Sequence, residues 1–512
     1  MQCNEMSKSS VNNKRIAKNT LYLYIRMLLV MAISLYTVRA ILDILGVVDY
    51  GIYNVVGGVV TMFAFMNRTL STSSQRYFSV ALAKNDHEDL KRVFSLNLTV
   101  FSLLGIIVVF LLETVGLWFV NNKMTIPAER MGAANVVYQL SILAMVFHIF
   151  VIPYMALVIA YEKMNVFAII GVVEAVGKLG IVFLLTVIAF DKLIIYGVLV
   201  LLLAFGTSSW YIIYCLKHYP ESHFRWYWNK KEALELLGFS GWHFLGTFST
   251  TCRSQGINIL LNMFFNPAVN AARAVAYQVY GAVHQLVTNF FTAVKPQIYK
   301  SYASAQHDEM FKLVMRSSLF SMYLISLLIF PLIASTEFVL GLWLKEVPEY
   351  TIVFVQLVLL NGLVDSVDAP LSATALATGK IRKYEIAVSS VILANIPISY
   401  VALKMGSNPD ITMVISIILS CIDVFVRTLM LKGMMNFPMK KYMVLFAKVL
   451  VVSAILTFIC KFVLLDIVNS IWQVILVSLV VFILQTLLYA LITDKSDREA
   501  VVCIIKKRIG KH

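Results

Sequence analysis

The stretch Val93–Leu112, VFSLNLTVFSLLGIIVVFLL, is one of the long apolar runs that dominate this sequence. A helix of about 20 such residues spans the roughly 30 Å hydrocarbon core of a lipid bilayer. Similar runs recur almost from end to end. Hydrophobic residues make up 60% of the 512-residue chain, and charged residues make up only 14%. This composition excludes a soluble protein and predicts an all-α polytopic membrane protein.

Short polar gaps divide the apolar runs into about 14 predicted transmembrane helices. They are expected near residues 20–42, 51–72, 94–117, 134–157, 164–189, 193–216, 239–265, 270–296, 313–336, 350–376, 384–404, 411–434, 443–465 and 470–492. No gap between them is long enough for a soluble domain.

The distribution of lysine and arginine predicts the orientation. Most of the 43 basic residues fall in segments on the same side of the membrane as the N-terminus, and so does the basic C-terminal tail. Basic loops are retained in the cytoplasm, so both termini are expected to be cytoplasmic and the protein to be a multi-pass protein of the cell inner membrane. The few basic residues assigned to the outer side are Lys123, Arg130, Lys192, Arg273, Lys345, Lys404 and Lys461. The net charge of +15 then reflects loops that face an anionic leaflet, and no nucleic-acid partner is expected.

A side-chain pattern recurs at an offset of 222 residues. Gln75-x-Tyr77-x-Ser79-x-Ala81-x-Ala83 returns as Gln297-x-Tyr299-x-Ser301-x-Ala303-x-Ala305, and Asp86 matches Asp308. The offset covers six predicted helices, so both copies have the same orientation, which is typical of a parallel repeat. Coincidence is the alternative, because Ser and Ala are common residues.

The repeat predicts two six-helix lobes around a central cleft, an architecture suited to alternating access. The expected parts are a basic cytoplasmic tail (1–19), an N-lobe of helices 1–6 (20–216), a cytoplasmic amphipathic linker (217–238), a C-lobe of helices 7–12 (239–434), helices 13–14 (435–493) and a second basic cytoplasmic tail (494–512).

Three arginines in the predicted spans, Arg26, Arg68 and Arg253, have no carboxylate within one helical turn. A charge at the centre of a transmembrane helix costs about 2.5–3.5 kcal/mol on insertion scales. Because a guanidinium binds phosphate oxygens through two parallel hydrogen bonds, we predict that these arginines line a cavity for an anionic ligand. Interhelical pairing and snorkelling at helix ends are the alternatives.

Carboxylates within the spans are candidates for ion coupling. Asp365 and Asp368 share a helix face just before Pro370, which interrupts the helix. Two carboxylates there would bind a cation, or one would hold a proton. The alternatives are pairing with an arginine on another helix and a place near the outer half of the cleft. Glu174 is the next candidate, although Lys178 lies four residues later and favours a simple ion pair, as Asp423 and Arg427 do in a later span.

Sequence signatures of enzymes and ATPases are missing. Gly171–Leu179 is one residue too long for a phosphate-binding loop and ends in Leu instead of Ser or Thr. No metal-binding spacing or hydrolase motif occurs. The protein is therefore not expected to be an enzyme, and it is expected to use no cofactor or metal beyond a coupling ion, proton or sodium.

Several stretches resemble bacterial polysaccharide flippases. They are Asn19–Arg26, Leu35–Arg39, Leu45–Gly58, Ala276–Val279 and Val294–Ala303. The resemblance is to the O-antigen and capsule branch of the multidrug/oligosaccharidyl-lipid/polysaccharide exporter superfamily. It implies ion-gradient-driven movement of undecaprenyl-diphosphate-linked oligosaccharide repeat units from the cytoplasmic to the periplasmic leaflet, with the lipid bilayer, this substrate and a polysaccharide polymerase as partners. No site residue is transferred from the family.

The alternative with the same fold is a multidrug or organic-cation antiporter. Organic cations favour a net-negative cavity, whereas the three unpaired charges are positive. The charge pattern thus favours a flippase that holds a diphosphate with Arg26, Arg68 and Arg253.

Overall fold

The computed structural model describes residues 2–61, 64–123, 126–188, 190–265, 267–344, 347–460 and 470–492. Within these ranges the regular secondary structure is helical and contains no β-strand. The predicted all-α fold class is confirmed.

The helices are numbered in chain order. They are α1 Gln2–Thr61, α2 Ala64–Ala83, α3 His87–Leu111, α4 Leu117–Lys123, α5 Met131–Ala160, α6 Met164–Leu185, α7 Lys192–His218, α8 Lys230–Phe264, α9 Pro267–Ala303, α10 His307–Ala334, α11 Thr336–Trp343, α12 Thr351–Asp365, α13 Asp368–Thr378, α14 Arg382–Lys404, α15 Ile411–Met435, α16 Met439–Ile459 and α17 Ile471–Ile492. A π-helical turn, Leu112–Gly116, joins α3 to α4.

Eleven helical segments of the described chain are long and apolar enough to cross a membrane. They confirm a polytopic membrane protein. Three predicted spans, 51–72, 239–265 and 270–296, are not among these eleven segments. They fall on the end of α1 with the start of α2, on α8 and on α9, which are helical where described. Residues 62–63 of the first of these spans lie outside the described part of the chain, whereas polar residues lower the mean hydropathy of the other two. Such residues are tolerated in a membrane where they face other protein groups or water.

Two of the predicted helix boundaries have a visible cause. Gly46, with φ 75° and ψ 168°, breaks the helical path of α1 between the first two predicted spans, and glycine adopts this conformation without steric cost. Ser366 and Val367 separate α12 from α13, and Pro370 in the first turn of α13 cannot donate a backbone hydrogen bond. The predicted interruption beside Asp365 and Asp368 is confirmed.

The chain forms two compact units. Unit 1 comprises residues 1–247 and 292–306, and unit 2 comprises residues 248–291 and 307–512. In unit 1, α5 packs against α7, α2 and α3. The buried side chains of unit 1 include Phe101, Val137 and Tyr138 in one cluster. Apolar burial of this kind supplies most of the favourable packing energy.

Unit 2 has its own buried core. There α10 packs against α12, α16 and α17, and α15 packs against α12 and α14. Phe330, Phe354, Tyr384 and Tyr442 are among its fully buried large side chains. Unit 2 thus contains the interrupted helix and the helices that surround it.

A tight turn follows the repeated side-chain pattern in both copies. The number of residues between the two turns differs from the number between the two patterns. Asn85 (φ 53°) and Ala305 (φ 56°) have the left-handed conformation, and the following helices begin at His87 and His307. The turns therefore correspond at 220 residues, two fewer than the side-chain pattern. Asp86 caps α3, whereas Asp308 lies in the first turn of α10. The two aspartates that match in the sequence therefore occupy different positions relative to the turn.

Candidate functional site

Arg427 of α15 is a buried arginine that contacts two carboxylates of unit 2. Its Nε lies 2.6 Å from Oδ2 of Asp423 and 3.5 Å from Oδ1 of Asp368. Its Nη1 donates a 2.8 Å hydrogen bond to the hydroxyl of Tyr384. The predicted Asp423–Arg427 pair is confirmed, and so is the alternative in which Asp368 pairs with an arginine on another helix.

Asp365 differs from Asp368 in that it accepts its hydrogen bonds from neutral groups. Asn361 Nδ2 donates to Asp365 Oδ2 at 2.7 Å, and Ser420 Oγ donates to Asp365 Oδ1 at 2.8 Å. Ser420 Oγ also lies 3.0 Å from Asn361 Oδ1. Carboxylate, amide and hydroxyl oxygens are the ligands that hard cations take. These residues have the chemistry to hold a coupling cation, and Asp365 has the chemistry to hold a proton.

Asn361 and Ser420 were not among the site residues predicted from the sequence. Asn361 lies one turn before Asp365 on α12, and this i,i+4 spacing was the available signal. Ser420 lies on α15, and nothing in its local sequence indicates a partner 55 residues away.

Arg253 of α8 lies within electrostatic reach of both Asp365 and Asp368. The sequence contains no acid within one turn of this arginine, but the packing of unit 2 supplies two acids from α12 and α13. Carboxylates on two other helices therefore attract Arg253, and both interhelical pairing and ligand binding stay predictions for this arginine.

A second arginine of unit 2, Arg273, which was counted among the few basic residues of the outer side, is buried. Arg273 lies in α9 with 4% of its surface exposed. Its guanidinium lies 4.4 Å from the ring centroid of Tyr277, and Nη1 donates to Oδ1 of Asn258 on α8. Its Nε is buried without a hydrogen-bond partner among the described residues. A cation–π contact can stabilise such a buried guanidinium.

Arg26 of α1 is the comparable arginine in unit 1. It is partly buried, and its guanidinium lies 4.5 Å from the ring centroid of Phe167 on α6. Gly171 admits this close approach, because a Cβ there would lie 2.2 Å from the arginine Nε. That Nε is buried and has no hydrogen-bond partner in the described part of the chain. Arg26 therefore has an unsatisfied donor inside a membrane-spanning helix.

Glu174 lies one turn beyond Gly171 on α6. Its Oε1 lies 2.7 Å from Nζ of Lys178, so the predicted i,i+4 ion pair is confirmed. Glu174 is also near enough to Arg26 to attract it electrostatically, but no hydrogen bond joins them. Glu174 is thus already paired within its own helix.

The backbone of Arg68 lies in α2, but its side chain lies outside the described residues. Arg26 belongs to unit 1 and Arg253 to unit 2. A common anion site formed by Arg26, Arg68 and Arg253 stays a prediction.

Unit 1 also contains a buried carboxylate that sequence reasoning missed. Glu162 has φ 60° in the turn between α5 and α6, and 5% of its surface is exposed. Its carboxylate lies 2.8 Å from Nε of Arg15 and 2.6 Å from Nζ of Lys300, and it accepts a hydrogen bond from Gln297 at 2.5 Å. Asn19 donates to the Glu162 carbonyl at 3.1 Å. These contacts join α1, the α5–α6 turn and the end of α9 within unit 1.

Two of three comparisons relate this chain to known proteins. A family model described as polysaccharide biosynthesis protein matches residues 16–302. A search of curated proteins found no significant match. The structural neighbours include a multidrug resistance MATE family transporter of the MOP superfamily in an outward-facing conformation, with a TM-score of 0.67 and 12% identity over 82% of this chain and 97% of the neighbour.

Two further neighbours have the same fold. One is a point mutant of the Vibrio cholerae MATE transporter VcmN, with a TM-score of 0.69 and 14% identity over 83% of this chain and 98% of that one. The other is a MOP superfamily transporter from Pyrococcus furiosus, for which reverse polarity of the binding pocket suggested a different function. It has a TM-score of 0.65 and 12% identity over 82% of this chain and 96% of that one. At these identities the likeness shows the fold.

Proposed function

Because the chain belongs to the polysaccharide biosynthesis protein family, we propose that it is a flippase for lipid-linked oligosaccharides. In this proposal an undecaprenyl-diphosphate-linked repeat unit moves from the cytoplasmic to the periplasmic leaflet, driven by an ion gradient, for O-antigen or capsule synthesis. The observation that carries the proposal is that the model of this family matches a chain whose fold is that of MATE transporters.

The substrate has a diphosphate head of fixed charge, whatever its sugar. Arg26, Arg68 and Arg253 are the residues proposed to bind it. The unsatisfied Nε of Arg26 supports this role, because an unpaired buried donor costs about 1–3 kcal/mol, and more if charged, until an acceptor arrives. Arg273, with the same unsatisfied atom, is a further candidate in unit 2.

Ion coupling is proposed for Asp365 and Asp368, with Glu174 as the remaining candidate. Asp365 supports the proposal best, because its neighbours Asn361 and Ser420 add neutral oxygen ligands beside the interrupted helix. Asp368 would contribute through its pairing with Arg427. A bound sodium ion or proton would alter the charge balance around Arg427 and Arg253 and thereby favour one conformation of unit 2.

A multidrug or organic-cation antiporter is the second candidate, because the structural neighbours include multidrug transporters. A cation-binding cavity needs uncompensated acids. Asp368 and Asp423 pair with Arg427, and Glu174 pairs with Lys178. Asp365 lies within electrostatic reach of Arg253. The pairing of Asp368, Asp423 and Glu174 with cations, beside the unsatisfied Arg26, favours an anionic substrate.

The cellular placement follows from the same proposal. The protein would lie in the inner membrane with both termini in the cytoplasm, deliver its substrate to a polysaccharide polymerase on the periplasmic side, and catalyse no chemical reaction. A polytopic protein whose described residues include eleven helical segments long and apolar enough to cross a membrane is compatible with this placement.

A deletion strain tests the proposed function. Loss of the protein should cause the lipid-linked oligosaccharide to accumulate, and lipid extraction with mass spectrometry should identify its sugars. Purified protein in vesicles should then expose this lipid to an external glycosidase when an ion gradient is applied. Gradient-driven export of organic cations without movement of the lipid would instead support the antiporter.

A further inference from the structure

The linker between α7 and α8 has two different faces. Residues 223–229 have no helical structure. Phe224, Trp226 and Trp228 are exposed, whereas Tyr227 packs against the buried cluster that contains Tyr138. Residues 223–226 and Trp228 are thus exposed, and Tyr227 is the aromatic residue of the linker that faces the protein.

Hydrogen bonds hold the linker in this orientation. The backbone N–H of Arg225 donates to Oγ of Ser95 on α3 at 3.2 Å. The hydroxyl of Tyr227 and Nδ2 of Asn229 both donate to Oε1 of Glu232, each at 2.8 Å. The exposure of the three aromatic rings is therefore a fixed feature of unit 1.

The exposed rings line a groove with a volume of about 550 Å³. Leu98, Thr99, Ser102 and Leu103 of α3 and Phe150 of α5 form the rest of its wall. The hydroxyls of Thr99 and Ser102 donate to carbonyls of their own helix, at 2.9 and 2.7 Å. The wall thus has little hydrogen-bonding capacity left, so it suits a hydrocarbon chain better than a polar group.

Positive charge accompanies the apolar groove. Residues 217–232 contain four lysines and arginines, Lys217, Arg225, Lys230 and Lys231, against two acids, Glu221 and Glu232. All four cations are exposed, whereas Glu221 is buried. Exposed tryptophan beside basic residues is typical of the membrane interface on the cytoplasmic side, where each cation near an anionic surface contributes about 1 kcal/mol.

We infer that this groove binds an anionic phospholipid, with one acyl chain against Phe150, Trp226 and Trp228 and the headgroup beside Arg225, Lys230 and Lys231. The combination of an apolar wall with exposed cations fits an amphipathic anion. Bilayer phospholipid is the occupant because it surrounds the protein at high concentration, so even a weak site is filled by mass action. This site is independent of the transported substrate.

Tryptophan quenching by brominated lipids tests the site in the full-length protein. The protein is reconstituted in phosphatidylcholine vesicles that contain phosphatidylglycerol, with bromine on the acyl chains of one lipid or the other. The signal of the groove is the quenching lost in the double variant Trp226→Phe/Trp228→Phe. It should be larger with brominated phosphatidylglycerol than with brominated phosphatidylcholine.

Trp472 provides the matched control, because 76% of its surface is exposed, against 74% for Trp226. Its quenching, measured with Trp472→Phe, should show no preference for phosphatidylglycerol. Lys230→Gln/Lys231→Gln should lower the preference at the groove by about fivefold for each cation removed, while Lys440→Gln/Lys441→Gln should not change it.

Thr99→Phe fills the groove from α3 and leaves the charges in place. It should reduce quenching of Trp226 and Trp228 by both brominated lipids. Equal quenching by the two lipids in the wild type would overturn the inference of an anionic site. Displacement of phosphatidylglycerol by a small amount of added polyprenyl phosphate would overturn the phospholipid as occupant.

Discussion

Arg26 in unit 1 and Arg427 in unit 2 are both arginines of membrane-spanning helices, but their surroundings differ. Arg427 contacts two carboxylates and a tyrosine hydroxyl. Arg26 contacts the face of an aromatic ring and has an unsatisfied Nε. A buried cation with its full set of partners contributes to the integrity of the fold, whereas one that lacks acceptors is available to a ligand. Mutation of Arg427 should therefore reduce stability, whereas mutation of Arg26 should reduce transport.

The largest effect is expected on stability, at Arg427. Arg427→Ala leaves Asp423 and Asp368 without their cation, and breaking a buried pair on one side costs about 3–5 kcal/mol. The unfolding midpoint in detergent should fall, and the protein level in the membrane should fall with it. The double variant Asp423→Asn/Arg427→Met should recover part of the loss, because it removes charge from both sides. Unchanged stability of Arg427→Ala would show that the pair is solvated.

The next effect is expected on transport, at Arg26. Arg26→Ala should keep the wild-type unfolding midpoint and reduce lipid flipping about tenfold to a hundredfold, the effect of losing one or two hydrogen bonds to a charged group. Arg26→Lys should recover part of the activity, since lysine lacks the planar fork, and Arg26→Glu should have none. A different sugar on the lipid should not alter these ratios. Normal flipping by Arg26→Ala would contradict the diphosphate role.

Gly171→Ala probes the same arginine without a change of charge. The new Cβ would lie 2.2 Å from Nε of Arg26 and must displace it from Phe167. Flipping should therefore fall several-fold. Gly180→Ala, on the same helix and with nothing within 4 Å of its Cβ, is the matched control. Equal activities of the two variants would show that the position of Arg26 is unimportant.

A smaller effect is expected from the coupling carboxylates. Asp365→Asn and Asp368→Asn should bind lipid normally but lose most of the acceleration that a proton or sodium gradient gives. Ser420→Ala should weaken the response to sodium by about tenfold at most, because it removes one neutral hydroxyl group that hydrogen-bonds to Asp365. The assay is initial flipping rate with and without each gradient. Full acceleration in both Asn variants would leave Glu174 as the candidate.

The smallest effect is a pH dependence in unit 1. The guanidinium of Arg130 bonds to Asp191, with Nη1 2.6 Å from Oδ2, and holds the pKa of Asp191 below its ordinary value. A carboxylate with a lowered pKa contributes stability above its unfolded pKa of about 3.9, and this is lost as pH falls through the folded value. The difference in unfolding midpoint between wild type and Asp191→Asn should be constant at neutral pH and shrink below about pH 4. A difference that persists at acid pH would contradict this ion pair.

Local spacing determined several features correctly. Apolar runs predicted the helices because hydrocarbon requires segments whose backbone groups bond internally. The i,i+4 pairs Glu174–Lys178 and Asp423–Arg427 are near neighbours on any helix. Pro370 predicted the interruption between α12 and α13 because it lacks an N–H.

Interactions between distant segments were not predictable in this way. The sequence indicated no partner for Glu162, yet α1 and the end of α9 supply Arg15, Gln297 and Lys300. Arg273 was counted among the basic residues of the outer side, and nothing in its local sequence indicated its contact with Asn258 of α8 or its burial. Its correct place depends on the packing of α8 against α9, which no local pattern contains.

The sequence by itself determined that this protein is an all-α membrane protein, where its helices run and which arginines have no acid nearby, because each of these depends on residues within a few turns. Only the tertiary structure decided that Asp368 pairs with Arg427 and that Arg253 lies within electrostatic reach of two acids, while Arg26 keeps an unsatisfied donor. The physical reason is that the cost of a buried charge depends on all groups within a few ångströms, and helix packing brings those groups from distant parts of the chain.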